Sequence, residues 1–593
     1  GWQSQASYAN TQGNATRVSL RTDRGTHQCV APLWKQSVDG HLHGSGHTWC
    51  HSRYLPAHVS MKELFIGQEV RLNGMTQANE IRPNNPAMPL TQALEGVEDV
   101  DWTLCPDPEL PVNGVSVSST DMEEGWIFIA IPGLVQHGIR FLHSALSSGA
   151  CAVVTDPEGA SRARAEYPSL PIVVVPDPRQ ASALIAANVY RHPASSLKTA
   201  AVTGTNGKTT TTYLLRSILR GGFRDPALCG TVEIRVGDLL INSEKTTSEA
   251  PEIERILALA RQKDCGAAIV EVSAHALSLN RIDNIVFDVA AFTNLQHDHL
   301  DYYGDMESYF AAKKSLFTPV HSKQGVVCVD DEWGQRLARE SEVTVTTVAV
   351  FSDHEADWKV RKVTFDRGIP AVTFDLETPQ SHVRTIRMPM LGEVNVQNAV
   401  VALVSAVQMG TDFDAAVQAL ENAEQVPGRM TSVNPDPGNQ PLVIVDFAHT
   451  PEGLEWTLKS VRELTRGKLV LVFGTDGDRD ATKREPLAAI AAQLADVLWV
   501  TDENPRSEDA SSIRRQLLSG IRSVRPDLKN VIEVPTCRRD AVREAILAAQ
   551  AGDIVVISGK GAEWYQEIRG IKHAYNDVPV AQEVLAQDIR ARL

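Results

Sequence analysis

The sequence predicts an α/β fold built from three successive domains. From about Val112 to the C-terminus, short apolar runs alternate with amphipathic stretches, which is the pattern of strands and helices in doubly wound sheets. The chain has 593 residues, which is too long for a single hydrophobic core at roughly 100 to 200 residues per domain. We therefore predict domains at residues 75–195, 196–427 and 428–593.

The first 74 residues differ from the rest in composition. They carry seven Lys or Arg against four Asp or Glu, whereas the whole chain has a net charge of −16. No helical or strand periodicity is sustained there, so we expect a disordered leader, or a true start at Met61 or Met75. A zinc site is the less favoured alternative, built from the cluster His41, His43, His47, Cys50, His51 and His58.

Charge, hydropathy and cysteine usage narrow the classes of function. A net charge of −16 argues against general binding to nucleic acid or to an anionic membrane surface, because both require a basic surface. We find no apolar stretch of about 18 residues, no secretory signal and no CxxC pair among the eight cysteines. We expect a cytoplasmic monomer with reduced thiols and with neither nucleic acid nor a membrane as partner.

The first domain is predicted from two strand-like segments and the helix between them. WIFIAIPG (126–133) and ACAVVTDP (150–157) are apolar runs that end in turns, and helix-like FLHSALSSG separates them. A segment with a proline at 191–199 then leads into the next strand. We place the domain boundary at this segment.

The second domain opens with the most specific motif of the chain. TAAVTGTNGKTTTTYLLRSIL reads as a strand, a Gly-rich turn and a helix. Such glycines let backbone N–H groups close on phosphate oxygens, while lysine neutralises charge and threonine can bind Mg²⁺. Although Val202 replaces the first glycine of the general pattern, we predict a nucleotide site rather than a structural turn. Its residues are Gly204, Thr205, Asn206, Gly207, Lys208, Thr209 and Thr210.

Further buried strands are predicted in this domain at GAAIVEV (266–272), FDVAAFTN (287–294) and GVVCVDD (325–331). Glu271 ends the apolar run of the first, where a carboxylate can reach a phosphate-bound Mg²⁺. An ordinary glutamate at a strand end is the alternative. The nearby phosphate loop favours the metal role.

Helix MESYFAAKKSLF contains two adjacent lysines that periodicity distinguishes. Residues three and four positions away share a helix face. For Lys313 these neighbours are all apolar or aromatic: Tyr309, Phe310, Leu316 and Phe317. Lys314 has a weaker apolar setting. Because a desolvated lysine has a lowered pKa and is nucleophilic as the free amine, the pattern singles out Lys313.

The third domain follows QVPGRM (425–430), a predicted hinge. Four short apolar strands there each end in polar, Gly-rich or Pro-rich sequence, namely LVIVDFAH, KLVLVFG, VLWVTDENP and DIVVISGKG. Ligands of such sheets bind at the carboxyl ends of the strands. We therefore predict a Rossmann-like domain with a ligand site at this edge.

The phosphate loop TGTNGKTT resembles that of the Mur ligases, the ATP-dependent amide-forming enzymes of peptidoglycan precursor synthesis. Seven further segments follow in the order of that family: EVSAHAL, FTNLQHDHLDYYGDMESYFAAKKSLF, VPGRM, DFAHTP, GDRDATKREP, DENPR and GKGAE. The resemblance runs from about Val112 to the C-terminus. It is strongest to the MurE branch, which joins a diamino acid to UDP-N-acetylmuramoyl-L-alanyl-D-glutamate, and it implies a central sheet like that of P-loop ATPases.

The resemblance implies which residues bind ATP and metal. ATP is expected at the phosphate loop, with its ribose and phosphates also held by Arg429, Asp446 and His449. Two Mg²⁺ ions are implied, held by Thr209, Glu271, His299 and a CO₂-derived carbamate on Lys313. The expected catalytic residues are Lys208, Glu271, His299 and Lys313.

The resemblance also implies two substrate sites. The muramoyl dipeptide is expected at Thr246, Thr247, Ser273 and Arg281, whose donors suit a carboxylate-rich substrate. The amino-acid pocket is expected at Arg484, Asn504, Arg506, Gly559 and Glu563. DENPR resembles the DNPR motif that recognises the distal carboxylate of meso-diaminopimelate, so this amino acid is favoured over L-lysine or L-ornithine.

Departures from the MurE pattern leave two points open. Ser118-Ser119-Thr120 stands where a DSR triplet is common, which puts the uridine-side contact assigned to Ser119 in doubt. Glu503 replaces the first residue of DNPR, and Ala562 replaces the usual histidine of the last motif. Lysine or ornithine therefore remains an open alternative as the amino acid.

Together these observations predict a ligase that activates the D-glutamyl carboxylate as an acyl phosphate and then forms an amide. One alternative is another ligase of the Mur and folylpolyglutamate superfamily, against which the pairing of DENPR with GKGAE argues. The other is a catalytically silent scaffold, against which the retained catalytic residues argue.

Overall fold

The computed structural model describes residues 17–22, 25–30, 81–133, 136–243, 245–365 and 370–592. The chain divides into two units after residue 64, and in the first unit β1 (Arg17–Thr22) and β2 (Gly25–Val30) pair antiparallel. The rest of the expected leader, including the histidine cluster and both candidate start methionines, lies outside the described residues. The second unit, residues 65–593, contains everything described below.

The first domain is a small parallel sheet covered by helices. An antiparallel pair, β3 (Met88–Pro89) and β4 (Pro111–Val112), precedes the four parallel strands β5 (Gly114–Ser116), β6 (Trp126–Ala130), β7 (Ala150–Thr155) and β8 (Ile172–Val174). The helices are α1 (Leu90–Ala93), α2 (Leu142–Ser147), α3 (Pro157–Glu166) and α4 (Pro178–Val189). Both longer helices start at an Asp-Pro pair, because aspartate caps the free N–H groups and proline fits the first turn.

The central domain is built on an eleven-stranded sheet. Its strands are β9 (Lys198–Thr203), β10 (Ala227–Cys229), β11 (Glu233–Val236), β12 (Leu239–Asn242), β13 (Ala267–Glu271), β14 (Val289–Phe292), β15 (Gln324–Cys328), β16 (Thr344–Ala349), β17 (Trp358–Phe365), β18 (Val372–Glu377) and β19 (Val383–Met388). The order is β12-β11-β10-β13-β9-β14-β15-β16-β17-β18-β19. The strands from β10 to β17 in this order are parallel. Strand β9 lies near the centre of the sheet, so its carboxyl end lies there as well.

Helices cover both faces of the central sheet. They are α5 (Lys208–Leu219), α6 (Ala250–Gln262), α7 (Ala274–Ser278), α8 (Leu300–Tyr303), α9 (Met306–Lys314), α10 (Glu332–Glu340), α11 (Glu393–Gln408) and α12 (Phe413–Glu421). Residues of α5, α11 and α12 join one buried cluster, whereas α6, α7, α9 and α10 join the cluster on the opposite face. The parallel strands are therefore buried on both faces, as their continuous apolar runs predict.

The third domain is a six-stranded sheet with a separate hairpin. Its strands are β20 (Thr431–Ser432), β21 (Leu442–Asp446), β22 (Leu469–Phe473), β23 (Val497–Val500), β24 (Val531–Glu533) and β25 (Ile554–Ser558), in the order β20-β21-β25-β22-β23-β24. The hairpin is β26 (Tyr565–Ile568) and β27 (Ile571–Ala574). The helices are α13 (Pro451–Arg462), α14 (Arg484–Leu494), α15 (Ala510–Val524), α16 (Arg538–Ala548) and α17 (Asp577–Arg592). Within the six-stranded sheet, all pairings except that of β20 with β21 are parallel. The four strands predicted to lead into the ligand site therefore end at the same edge of this sheet.

The predicted α/β class with three successive domains is confirmed, and the exact boundaries stay predictions. Every strand predicted above is present. The antiparallel strands at both edges of the central sheet were not predicted. Strands β17 to β19 carry many charged residues and threonines with exposed or half-buried side chains, so they lack the continuous apolar runs of the interior strands. Among the described residues, none of the helices has the length and hydropathy needed to cross a membrane.

A buried ion pair joins the first domain to the central one. Arg255 on α6 is fully buried, and its Nη2 lies 2.6 Å from Oδ2 of Asp121. The other oxygen of Asp121 lies 2.6 Å from Nη2 of Arg82. The Trp126 ring packs against both guanidinium groups, at 4.6 Å from Arg82 and 5.1 Å from Arg255. Asp121 directly follows the turn at 118–120, so these contacts fix that turn against α6.

Replacing Asp121 with alanine should destabilise the protein, because Arg255 would stay buried without its counter-ion. We expect Asp121→Ala to lower the free energy of unfolding by about 3 kcal/mol in urea denaturation. Asp238→Ala is the matched control, since Asp238 pairs with Lys263 at the surface, and its effect should stay below about 1 kcal/mol. Equal small effects of both changes would contradict a structural role for the buried pair.

Candidate functional site

The Gly-rich loop between β9 and α5 has a conformation that only glycine can adopt. Gly204 has φ +147° and Gly207 has φ +86°. A Cβ atom on Gly204 would lie 2.0 Å from Oγ1 of Thr293, and one on Gly207 would lie 2.1 Å from Oδ1 of Asn398. The missing side chains therefore allow the loop to lie directly on its neighbours.

The loop leaves the N-terminus of α5 without a cap. The Thr205 N–H donates to the Asn294 carbonyl at 2.9 Å, and the Asn206 N–H donates to Oδ1 of the same residue at 3.0 Å. Gly207, the residue before the helix, has no side chain that could cap it. The first N–H groups of a helix have no partner within the helix, so this end is suited to bind an anion.

Glu271 lies beside the loop, at the end of the strand next to β9. It is 1% exposed, and its Oε1 accepts hydrogen bonds from the hydroxyls of Thr209 at 3.0 Å and Thr231 at 2.8 Å. In the described part of the chain, its hydrogen-bond donors are these hydroxyls and the Thr231 N–H, which lies 3.0 Å from Oε2. A carboxylate with hydroxyl oxygens is a donor set that suits Mg²⁺.

Two lysines meet at the same loop, the half-buried Lys208 and the fully buried Lys313. Nζ of Lys208 donates to the carbonyls of Gly204 at 3.2 Å and Thr205 at 3.0 Å, and Nζ of Lys313 donates to that of Gly204 at 2.8 Å. Burial lowers the pKa of both side chains, and the charge of Lys208 lowers the pKa of Lys313 further. The prediction that Lys313 is the desolvated lysine is confirmed, since it is 1% exposed whereas Lys314 is 32% exposed and pairs with Glu340.

His299 lies at the exposed rim of this cluster. Its side chain is 46% exposed, and Nε2 lies 3.4 Å from Oδ2 of Asp298. Its ring centroid is 6.0 Å from that of Tyr309, whose ring also contacts the ammonium of Lys313 at 4.8 Å. In the described part of the chain, no three His, Cys, Asp or Glu side chains converge as a complete metal site. An ion bound here would thus need oxygen ligands from other groups.

The residues expected to contact the dipeptide lie around Glu271, except for Ser119. Oγ1 of Thr247 donates to the Glu271 carbonyl at 2.8 Å and accepts from the Ser273 N–H at 3.0 Å. Arg281 donates to the Thr247 carbonyl at 2.9 Å. Thr246 accepts from the hydroxyl of Thr231 at 3.2 Å, and so reaches the same carboxylate indirectly. Ser119 lies in the first domain, half-buried in the turn after β5.

In the third domain, Arg429, Asp446 and His449 lie at the end of β21. Asp446 accepts from the Met430 N–H at 2.9 Å and from the Thr457 hydroxyl at 2.7 Å, so it fixes the turn that carries Arg429. The Arg429 guanidinium lies 4.3 Å from the centre of the Phe447 ring, and the His449 ring lies 4.6 Å from it. Burial lowers the pKa of Arg429 and of His449. Sequence reasoning missed Phe447.

Three of the five residues expected in the amino-acid pocket converge on one cluster. Nδ2 of Asn504 lies 3.0 Å from Oε2 of Glu563 and 2.9 Å from Oδ1 of Asp476. Nη2 of Arg506 lies 3.1 Å from Oδ2 of Asp476. Sequence reasoning also missed Asp476 and the fully buried Lys560, which donates to Glu563 at 2.7 Å. Asp476 and Lys560 each follow an apolar strand, which is where the sequence analysis placed the ligand site of this domain.

Arg484 and Gly559 support this cluster from behind. Arg484 is fully buried and forms two hydrogen bonds to Glu508, at 2.8 and 2.9 Å, and one to the Asp476 carbonyl at 3.0 Å. Gly559 has φ +113°, and a Cβ there would lie 2.6 Å from Oε2 of Glu503. The binding roles of both residues stay predictions.

Glu503 is a buried acid at the edge of this cluster. It is 3% exposed, and its Oε2 has no hydrogen-bond partner in the part of the chain that the structure describes. Burial raises the pKa of Glu503 to about 8, and the negative charge of Asp476 contributes to the shift. This carboxyl group therefore keeps its proton to a much higher pH than an exposed glutamate does.

The chain matches three family models in succession. Residues 111–190 match the Mur ligase family catalytic domain, residues 202–406 the Mur ligase middle domain, and residues 428–561 the Mur ligase glutamate ligase domain. Together these matches cover most of the chain beyond residue 110. They coincide with the three sheets described above.

Curated relatives and solved structures agree with these matches. The chain is 40% identical over 482 residues to a UDP-N-acetylmuramoyl-L-alanyl-D-glutamate–2,6-diaminopimelate ligase of Streptomyces avermitilis, covering 81% of this chain and 94% of the relative. It is 42% identical over 506 residues to a UDP-N-acetylmuramyl-tripeptide synthetase of Leifsonia xyli subsp. xyli, covering 84% and 96%. A solved UDP-N-acetylmuramoyl-L-alanyl-D-glutamate–2,6-diaminopimelate ligase superposes with a TM-score of 0.60 at 29% identity, covering 85% and 99%. MurF from Acinetobacter baumannii shares the fold, with a TM-score of 0.58 at 18% identity, covering 86% and 99%.

Glu503 should make stability depend on pH. The folded state keeps the proton of Glu503 up to about pH 8, whereas the unfolded chain releases it near the usual pKa of 4.5. The stability that this proton contributes is therefore complete below pH 4.5 and is lost as the pH rises to about 8. Glu503→Gln has no such proton, so its unfolding free energy relative to the unaltered chain should rise by roughly 4 kcal/mol between about pH 5 and about pH 8.5.

Urea denaturation across this pH range measures the difference. Glu544→Gln is the control, because Glu544 is an exposed glutamate of α16, and it should leave the pH dependence unchanged. A difference between Glu503→Gln and the unaltered chain that stays constant with pH would contradict the raised pKa.

Proposed function

The chain belongs to the Mur ligase family of ATP-dependent ligases, and we propose that it adds a diamino acid to UDP-N-acetylmuramoyl-L-alanyl-D-glutamate. Meso-diaminopimelate is the favoured amino acid, with L-lysine or L-ornithine as the alternative. The observation that carries the proposal is the set of groups at the phosphate loop, Lys208, Glu271 and Lys313, in a chain that also presents Asn504 and Arg506 together. The cytoplasmic location and the monomeric state expected from the sequence stay predictions.

The reaction has to activate a carboxylate, which is a poor electrophile at neutral pH. An oxygen of the D-glutamyl carboxylate attacks the γ-phosphorus of ATP, so an acyl phosphate forms and ADP leaves. The amine of the diamino acid then attacks the acyl carbon, the bond to the phosphate oxygen breaks, and the amine gives up a proton. In such reactions the protein mainly positions the reactants and neutralises charge.

The residues around the phosphate loop suit the first of these steps. The uncapped N-terminus of α5 and the ammonium of Lys208 would hold the phosphates of ATP. Thr209 and Glu271 would hold one Mg²⁺, and His299 with a carbamate on Lys313 would hold a second. Bound Mg²⁺ would neutralise the charge that shifts during phosphoryl transfer. The hydroxyl and carboxylate oxygens of Thr209 and Glu271 fit this ion, since Mg²⁺ prefers oxygen ligands.

The setting of Lys313 supports the proposed carbamate. Carbamylation requires the free amine, and burial lowers the pKa of Lys313 well below its ordinary value. The product of the reaction with CO₂ is a carboxylate next to the phosphate loop. This carboxylate would supply an oxygen ligand for a metal ion there.

A test of the function compares amino acids with the purified full chain, ATP, Mg²⁺ and the UDP-N-acetylmuramoyl dipeptide. We expect phosphate release and a tripeptide product, identified by mass spectrometry, with diamino acids and most efficiently with meso-diaminopimelate. Turnover with alanine or D-glutamate but with no diamino acid would indicate another ligase of the superfamily. No phosphate release with any amino acid would indicate a silent scaffold.

A test of the carbamate replaces Lys313 with alanine. Because the lost group is a carboxylate that binds metal, we expect the ligase rate to fall by about 100-fold or more, and formate or acetate to restore part of it. Lys314→Ala is the matched control, since Lys314 is partly exposed and pairs with Glu340, and its activity should be retained. Loss of activity in Lys313→Ala without any rescue would contradict the carbamate.

A further inference from the structure

Asn504 has no hydrogen-bonding capacity left for a substrate. Its Nδ2 donates to Asp476 at 2.9 Å and to Glu563 at 3.0 Å. Its Oδ1 accepts from Nζ of Lys560 at 2.8 Å and from the Glu567 N–H at 3.1 Å. An amide group has two N–H donors and two acceptor positions, so all four are in use. Asn504 thus orients two carboxylates rather than presenting a free group of its own.

Asp476, by contrast, keeps acceptor positions for a ligand. Its side chain is 19% exposed, with Oδ1 bound by Asn504 and Oδ2 bound by Arg506 at 3.1 Å. A carboxylate can accept about four hydrogen bonds, so roughly half of its capacity remains. The position is fixed from three sides, because Arg484 also holds the Asp476 carbonyl at 3.0 Å.

The surroundings of Asp476 carry an excess of negative charge. In the described part of the chain, three carboxylates and two cations lie at this edge of the sheet beside the protonated Glu503: Asp476, Glu563, Glu567, Arg506 and Lys560. The nearby Arg484 and Arg538 each pair with a carboxylate of their own, Glu508 and Asp577. The buried Oε2 of Glu503, which has no partner in the described part of the chain, is a second sign that this edge lacks a hydrogen-bond donor. A positively charged ligand group would supply it.

We propose that Asp476 is a specificity-determining residue that binds the distal ammonium group of the diamino acid, next to Glu563. Arg506 uses one N–H on Asp476 and lies 3.6 Å from Glu567, and its remaining N–H groups can take the distal carboxylate of diaminopimelate. An amino acid that ends in a carboxylate without an ammonium would place two negative charges together and be rejected. This inference rests on the proposed diamino-acid ligase function.

The test compares meso-diaminopimelate with 2-aminopimelate, which has the same chain and distal carboxylate but no distal amine. In Asp476→Asn, the amide keeps the shape of the side chain and removes its charge. We expect KM for meso-diaminopimelate to rise about 10-fold or more, kcat to change less than about 3-fold, and KM for 2-aminopimelate to stay equal or fall. Asp509→Asn is the matched control, since Asp509 is an exposed cap of α15 and asparagine caps equally well, so the KM ratio should not change.

Each other outcome counts against the proposal. An equal rise of KM for both amino acids, or a large fall of kcat for both, would make Asp476 a structural residue only. The unaltered chain provides a second measurement that does not depend on how the variant folds: its kcat/KM for 2-aminopimelate should be at least about 30-fold below that for meso-diaminopimelate. Equal values would overturn the role of Asp476 while leaving the ligase function intact, whereas no turnover of any diamino acid would overturn both.

Discussion

The carbonyl oxygen of Gly204 is the atom on which the central site depends. Nζ of Lys208 and Nζ of Lys313 both donate to it, at 3.2 and 2.8 Å, so the start of α5 and the end of α9 meet there. The carbonyl can occupy this place because Gly204 has no side chain, and any side chain there would collide with Thr293. Burial lowers the pKa of Lys313, and the positive charge of Lys208 on the same acceptor lowers it further. The proposed carbamate follows from that arrangement, since it removes one of the two positive charges and replaces it with a negative one.

In the proposed amino-acid site, one neutral side chain binds several charged groups, whereas at the phosphate loop two charged groups share one neutral acceptor. The Asn504 amide binds Asp476, Glu563 and Lys560 at once and is itself fully buried. A neutral amide is suited to this place because it satisfies donors and acceptors without adding charge to a buried cluster. The chain as a whole has a net charge of −16, so neither site can rely on a general positive field to attract anionic substrates. Phosphate and carboxylate binding must come from particular groups such as Lys208 and Arg506.

The sequence predicted those features that have a local pattern. Continuous apolar runs identified the interior strands, and helix periodicity distinguished Lys313 from Lys314 before any contact was known. Strands β17 to β19 were not identified, because in them apolar residues are interspersed with charged residues and threonines and do not form a continuous run. Asp476 and Phe447 were missed for a different reason: each acquires its role from residues distant in sequence, such as Arg506 and Arg429, and no local pattern reports such a meeting. Arg484 was expected from the sequence, but its ion pair with Glu508, on another segment, was not.

A close backbone contact in the third domain joins the loop of Arg429 to the loop of Glu563. A Cβ on Gly428, in the segment VPGRM, would lie 2.0 Å from the amide nitrogen of Ala562, in the segment GKGAE. Two loops can pack this closely only where glycine leaves the backbone bare, and Gly428 also has φ +66°. Arg429 is the next residue. Burial lowers the pKa of Lys208 in the central domain, and the positive charge of Arg429 also contributes to this lowering. Glu563 is the residue after Ala562, so this contact places the segment that carries Arg429 directly against the segment that carries Glu563. The bare backbone at Gly428 is thus what allows a residue proposed for the nucleotide and a residue proposed for the amino acid to lie on adjoining loops.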